Sequence, residues 1–353
     1  MRKLIYGILV LWGVLTLVFF LFNVLPGDPA RMMLDQREDS KQLAVIKEKY
    51  GFDRSLGEQY ILYLNDVSPF SIHRNSSRSF TSLIHGKYQY FQLFYITNYT
   101  VVLKVPYFRE SFVRKGVPVT RILIYTFRNT FILASFSIFF ALFIGMILGI
   151  VSALYKDSII DKLILFFSAL GMSLPSFFAS IIIAWFFGFV LHKYTGLNMT
   201  GSLYEVDDYG RGSFLEIKNL ILPAVTLGIR PLSVIVQLCR NSILEVLSLD
   251  YVRTARSKGL HEFIVIFKHV LVNALNPVVT AVSGWFASML AGAVFVEYIY
   301  GWNGIGKEIV DALNKMDLPV VMGSVLFISS IFIIINIIVD LLYSWLDPRI
   351  NFR

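Results

Sequence analysis

One cysteine, Cys239, stands in the whole chain of 353 residues, which excludes an internal disulfide framework and any zinc site of the Cys-x-x-Cys kind. Charge is scarce as well. Asp, Glu, Lys and Arg together make up 16% of the sequence, against roughly 25% in an ordinary soluble domain, too little to cover a water-soluble fold of this size. No internal repeat is visible, and the small charged share argues against disorder and fibrous repeats. What the chain has in quantity is apolar: 56% hydrophobic residues and 15% aromatics, with a mean hydropathy of +0.65. These residues gather in runs of about 20, the length that crosses roughly 30 Å of hydrocarbon. The composition is that of a membrane protein. Its net charge of +8 lies at the ends of apolar runs, where the positive-inside rule puts it, and not in a patch suited to nucleic acid.

Six runs are long enough to span: about 4–22, 129–154, 163–191, 222–247, 274–296 and 320–346. The first has a short basic lead (Arg2, Lys3) and ends in a turn-rich stop without an Ala-x-Ala site, so it reads as a transmembrane helix and not as a signal peptide. Six spans put both termini on one side. Arg2, Lys3, Lys156, Lys162, Arg253, Arg256, Lys258, Lys268, Arg349 and Arg353 share that side, which the positive-inside rule makes cytoplasmic. The segment 23–121 is then external, a five-span core occupies 122–346 with a cytoplasmic loop at about 248–273, and 347–353 form a cytoplasmic tail. Within the external segment, Leu43, Ile46 and Tyr50 lie on one face of a short helix that Ser40 caps and Gly51 ends. The stretch 71–105 turns aromatic and polar (Tyr88, Tyr90, Phe91, Phe94, Tyr95, Tyr99), a pattern shared by docking surfaces, interfacial aromatic belts and small local cores.

Between the fourth and fifth runs, Asp250-Tyr251-Val252-Arg253-Thr254-Ala255-Arg256-Ser257-Lys258-Gly259-Leu260 reads as a short basic helix closed by a glycine at the left-handed C′ position. Phe263, Ile266, Phe267 and Val270 follow at helical spacing, so a second helix begins after Gly259. A docking projection and a solvated basic loop both fit that pattern.

Several motifs carry a resemblance. They are Leu25-Pro26-Gly27-Asp28-Pro29, Tyr50-Gly51-Phe52-Asp53-Arg54, Pro118-Val119, Leu222-Pro223-Ala224, Arg240-Asn241-Ser242, the 250–260 loop, Asn273-Ala274-Leu275-Asn276-Pro277, Asp317-Leu318-Pro319 and Asp347-Pro348-Arg349. The chain resembles the inner-membrane permease subunits of binding-protein-dependent ABC importers, in the dipeptide, oligopeptide and nickel branch. The resemblance implies an all-α, six-span fold of the type I importer permease and a place in a bacterial inner membrane. It also implies a second permease subunit, two ATP-binding cassette subunits, a soluble binding protein and a peptide cargo as partners. No cofactor is expected on this chain, since ATP and magnesium belong to the ATPase subunits. The 250–260 loop resembles the coupling segment that sits in a cleft of the ATPase, with Ala255 and Gly259 keeping its Ala-x-x-x-Gly core. By that resemblance Asp250, Tyr251, Arg253, Thr254, Ala255, Arg256, Lys258, Gly259 and Leu260 form the coupling site, Arg256 and Lys258 touching the ATPase. The chain departs from the family pattern at Tyr107-Phe108-Arg109-Glu110-Ser111 and at Trp302-Asn303-Gly304, and 71–105 reads as an insertion.

Other motifs carry less. Gly301-Trp302-Asn303-Gly304-Ile305-Gly306-Lys307 fits seven positions of a P-loop, but Glu308 stands where magnesium needs Ser or Thr. The five histidines have no metal-ligand spacing. Polar residues inside the spans point elsewhere, because each is costly unless paired or hydrated. Arg230, beside Pro231 where a broken helix is expected, reads either as a cation lining the path for a peptide carboxylate or as a partner of Asp340 or Glu297. Asn129, Ser173, Gln237, Asn273 and Ser283 are placed along the same path, with helix-to-helix bonding as the alternative. A nickel permease, a self-sufficient secondary carrier and a membrane enzyme are the rival functions.

Overall fold

The computed structural model describes residues 2–24, 40–74, 76, 80–83, 88–207 and 212–346. The motif at 25–29, parts of the 71–105 stretch and the tail 347–353 lie outside them. Among the described residues, four helices are long and apolar enough to cross a membrane: α1 (Arg2–Val24), α4 (Val119–Leu154), α7 (Lys218–Leu247) and α13 (Leu318–Leu346). Two further apolar runs are bent pairs: α5 (Ile159–Ser173) with α6 (Ser176–Val190) at 111°, and α9 (Glu262–Ala274) with α10 (Asn276–Gly292) at 51°. The expected single helices over 163–191 and 274–296 are thereby corrected, and prolines account for both bends. Pro175 stands at the N-cap of α6 and Pro277 in the first turn of α10, and each restricts the residue before it and removes a backbone donor. The reverse correction applies at Pro231, where α7 runs unbroken through both Pro223 and Pro231. In an apolar bundle, neighbouring helices tolerate such a proline by re-satisfying the freed carbonyl.

The chain divides into two compact units, 1–125 with 309–329, and 126–308 with 330–353. In the first, α1 packs through Phe19 and Thr16 against α3 (Leu56–Val67). The Phe19 ring lies 5.3 Å from that of Tyr60, and the Thr16 and Tyr60 hydroxyls bond at 2.6 Å. The helix expected near 43–50 is α2 (Ser40–Tyr50), ended by Gly51 at φ 74°; the side chains of Ser40 and Ile46 lie outside the described ones. The stretch 71–105 corrects the all-α expectation. It holds an antiparallel sheet of order β1-β3-β2, with β1 (Phe70–Arg74), β2 (Tyr90–Ile96) and β3 (Tyr99–Lys104). The polarity of this sheet is inverted. Ser71, His73, Thr100 and Lys104 are buried, while Phe70, Ile72, Phe91, Phe94 and Tyr99 are exposed. Its interior is a polar cluster on Asp66, which accepts from the Tyr88 hydroxyl (2.7 Å), from Arg109 Nε (2.9 Å) and, at its backbone carbonyl, from Lys104 Nζ.

The second unit is built on α4 crossing α7. Gly145 and Gly149 allow close approach, since a Cβ added at Gly149 would stand 2.7 Å from Cβ of Cys239. Ile235, Cys239 and Ile243 are sealed into the core beside Ala141 and Ala153. A two-stranded hairpin, β4 (Tyr204–Val206) and β5 (Ser213–Leu215), completes this unit's extended structure among the described residues.

Candidate functional site

The 250–260 loop folds as expected. The helix α8 (Asp250–Ser257) is ended by Gly259 at φ 75°, and α9 starts at Glu262. Val252 and Ala255 are its buried residues; they pack with Val246, Val265, Val270 and Ala274. Ala255 therefore faces the bundle and seats the helix from within. Arg256 is also engaged, its guanidinium donating to Glu262 at 2.5 and 3.2 Å across the Gly259 turn. Apart from Val252 and Ala255, every residue from Asp250 to Leu260 is exposed, Arg256 included, with an Arg253 to Asp250 pair at 3.6 Å. The first turn of α9 passes into a π-helical stretch, Val265–Val270, a form that recurs at functional positions.

Arg230 is exposed and lines a cavity of about 150 Å³ with Ser176, Thr226, Leu227, Trp285, Ser288 and Met289, from α6, α7 and α10. Among the described residues it makes no hydrogen bond and no ion pair. The pairing with Glu297 is corrected, because the buried Glu297 carboxylate accepts from Thr130 Oγ1 (2.6 Å), the Gly306 N–H (2.7 Å) and the Lys307 N–H (3.3 Å). Glu297 belongs to α11 (Val294–Tyr300), and those N–H groups open α12 (Ile305–Asn314). The P-loop-like stretch is thus a helix-to-helix turn whose donors hold a carboxylate of the chain itself.

The other residues placed along the path separate. Asn129 Nδ2 donates to the Asn303 carbonyl at 2.8 Å, and the Asn129 carbonyl accepts from the buried Trp302 indole at 3.1 Å. Asn129 thus anchors that same turn. Asn273 Nδ2 donates to the Tyr251 hydroxyl at 2.9 Å, which ties it to α8. Ser173 and Ser283 bond to carbonyls one turn back, at Ala169 and Val279. Ser283 lines a separate apolar groove of about 610 Å³ with Phe131, Phe139, Phe286 and Ile338. Gln237 Nε2 lies 3.4 Å from Met172 Sδ. Like the Arg109–Asp66 and Arg256–Glu262 pairs, a further ion pair escaped the sequence reading: Arg240 reaches Asp161 with Nε at 2.8 Å and Nη2 at 2.7 Å, and Asp161 also accepts from Ser152 and from the Asp157 N–H at 2.9 Å. An acidic residue two positions before the apolar run at 163–191 was its only signal.

Residues 145–352 match the family model of the binding-protein-dependent transport system inner membrane component, and residues 1–81 match the model of its N-terminal region. The chain belongs to that family. This inner membrane component is 33% identical to a dipeptide transport system permease protein of Alkalihalophilus pseudofirmus, over 100% of this chain and 98% of the relative. It is 32% identical to an oligopeptide transport system permease protein of Bacillus subtilis, over 99% and 98%. Among solved structures it is similar to the MetNI methionine ABC transporter in an inward-facing conformation, at a TM-score of 0.50 and 17% identity, over 64% of this chain and 97% of that one. The shared fold is the type I importer permease, and the chain is a multi-pass membrane protein. The family supplies the membrane permease of ABC importers and has no ATPase of its own.

Proposed function

We propose that the chain is the permease of an ATP-driven importer that takes up di- or oligopeptides handed over by a soluble binding protein. Each bent pair counts as one span, giving six spans with both termini and α8 in the cytoplasm and the sheet outside; the Lys and Arg asymmetry supports this orientation. Two ATPase subunits, which hold the ATP and magnesium, and a second permease complete the assembly. The exposed side of α8 and of the turn that closes it, Asp250, Arg253, Thr254, Lys258 and Leu260, contacts the ATPase. Closure of the ATPase pair moves α8 and switches the spans between inward-facing and outward-facing states.

The observation that carries the cargo is Arg230. An arginine inside a helical bundle persists where it is paired or hydrated; this one is unpaired and opens onto a cavity edged by Ser176 and Ser288, while the Thr226 hydroxyl beside it is already committed to the Leu222 carbonyl. A guanidinium with neighbouring hydroxyl donors suits a carboxylate, and a free peptide ends in one. The Trp285 ring offers an apolar wall to the adjoining side chain. Nickel does not suit this lining, which offers a fixed cation and no imidazole, thiolate or carboxylate. The complex reconstituted with its ATPases, second permease and binding protein should import free tripeptides. Arg230→Gln should slow free tripeptides more than their C-terminally amidated forms, because the variant keeps a polar side chain without the charge. Equal slowing of both forms in a well-assembled complex would remove the carboxylate role.

A further inference from the structure

The contacts of α8 separate two kinds of residue on one short helix. Arg253 projects from it and Lys258 from the turn just after it, both exposed. Tyr251 is also partly exposed, but its hydroxyl is committed inward. It donates to the His269 carbonyl at 3.3 Å and accepts from Asn273 Nδ2 at 2.9 Å, while Nδ2 also lies 3.1 Å from that carbonyl. Three groups, from the first turn of α8 and the last two turns of α9, meet at one point. The carbonyl belongs to the π-helical stretch, where the Leu271 N–H bonds back five residues to Ile266; the wider turn displaces the ladder from its α-helical register.

Burial alone does not fix the angle of α8. Val252 and Ala255 are small and aliphatic, and contacts of that kind hold a helix down without resisting rotation. Hydrogen bonds are directional, and the Tyr251 knot supplies them at the end of α8 that adjoins α7. Its other end is braced by Arg256 and Glu262. The element that Asn273 adjoins is α10, which carries Trp285 and Ser288 of the cavity.

We infer that Tyr251 and Asn273 form a latch between the coupling helix and the foot of the fifth span, so that a displacement of α8 moves α10 instead of turning α8 in place. Tyr251 is a positioning residue that does not touch the ATPase through its hydroxyl. The inference rests on the coupling reading of α8 and adds to it the route by which motion reaches the cavity.

The test uses the full complex in proteoliposomes, measuring labelled trialanine imported and ATP hydrolysed in the same sample. Tyr251→Phe removes one oxygen and keeps the ring. The variant complex should retain its ATPase subunits through purification while the peptide imported per ATP falls roughly two- to ten-fold, the factor that one lost hydrogen bond represents. Asn273→Ala should give a similar fall, and the double variant should fall no further, since both changes cut one connection. An unchanged peptide-to-ATP ratio in Tyr251→Phe, or losses that multiply in the double variant, would overturn the latch. Loss of the ATPase subunits from Tyr251→Phe would assign the hydroxyl to docking and overturn it as well. If the unmutated chain recovers no ATPase subunits, the coupling reading fails and the latch fails with it.

Discussion

At the scale of single residues, the membrane-embedded part depends on contacts that leave little freedom for substitution. Arg240 and Asp161 form a two-bond pair, with side chains 14% and 2% exposed, between α5 and α7. Removing one partner strands a charge, which costs about 3–5 kcal/mol in a buried setting. Asp161→Asn should therefore sharply lower the yield of folded chain in mild detergent, and Arg240→Gln introduced beside it should restore much of that yield; no restoration would show that the pair is not the cause. Gly149 is constrained by space and not by φ, because its missing Cβ faces Cys239 and the Val236 carbonyl at 3.0 Å. Gly149→Val should push α4 off α7 and lower the melting temperature, with an overpacking cost of about 1–3 kcal/mol. Gly259 is the opposite case. A Cβ there meets nothing within 4 Å, but φ is 75°. Gly259→Val should leave the chain inserted and stable yet strain the α8 turn by about 1–3 kcal/mol, so peptide-stimulated ATP hydrolysis should drop. Normal stimulation in that variant would count against the coupling role of the turn.

At the scale of elements, the sheet that carries β1–β3 behaves differently from the helices. Burial holds the Lys104 amine down at about 8 from 10.5, against the attraction of Asp66, and burial also lowers the His73 imidazole, aided by repulsion from Lys104. Both groups bind protons more weakly folded than unfolded, so stability rises with pH wherever the unfolded chain holds the extra proton. For His73 that range ends near 6.5, and for Lys104 it runs from about 8 to 10.5. Burial raises Tyr107 to about 12 and also raises Tyr88, which reverses the slope once unfolded tyrosines ionise near 10. Thermal unfolding of this segment, followed at matched ionic strength, should therefore move upward from pH 8 to about 9.5. Lys104→Met should flatten that rise, and a fall over the same range in the unaltered chain would contradict the assignment.

This sheet is also where sequence reading stopped short. Strand prediction relies on apolar residues facing in and polar ones facing out, and here the polar set faces in toward Asp66. The bends at Pro175 and Pro277 were visible as prolines, yet a continuous apolar run hides them because hydropathy does not register direction. In contrast, α8 was legible to the residue, since a short amphipathic helix ending in glycine is a local pattern. Arg230 was legible as a costly group. The positions of Asn129 and Asn273 were not, because their partners Asn303 and Tyr251 lie 174 and 22 residues away and sequence carries no sign of such pairings.

At the scale of the whole molecule, the topology reading is open to a direct test. A cysteine placed at Ser257 should resist a membrane-impermeant thiol reagent in intact cells, whereas one at Gln92 should react. Buried Cys239 provides a silent background. Labelling reversed between the two sites would invert the orientation and with it the proposed ATPase face. A different kind of consequence follows from the Glu297 knot. Thr130 and the Glu297 carboxylate it holds are 167 residues apart, and synthesis at about 5–20 residues per second separates their emergence by on the order of ten to thirty seconds. Helix α4 must therefore enter the bilayer and wait, its threonine provisionally satisfied, until Glu297, Gly306 and Lys307 have all been made. A chain stopped just before residue 306 would hold Thr130 and Glu297 but lack the Gly306 and Lys307 N–H donors, leaving the buried carboxylate with one of its three partners.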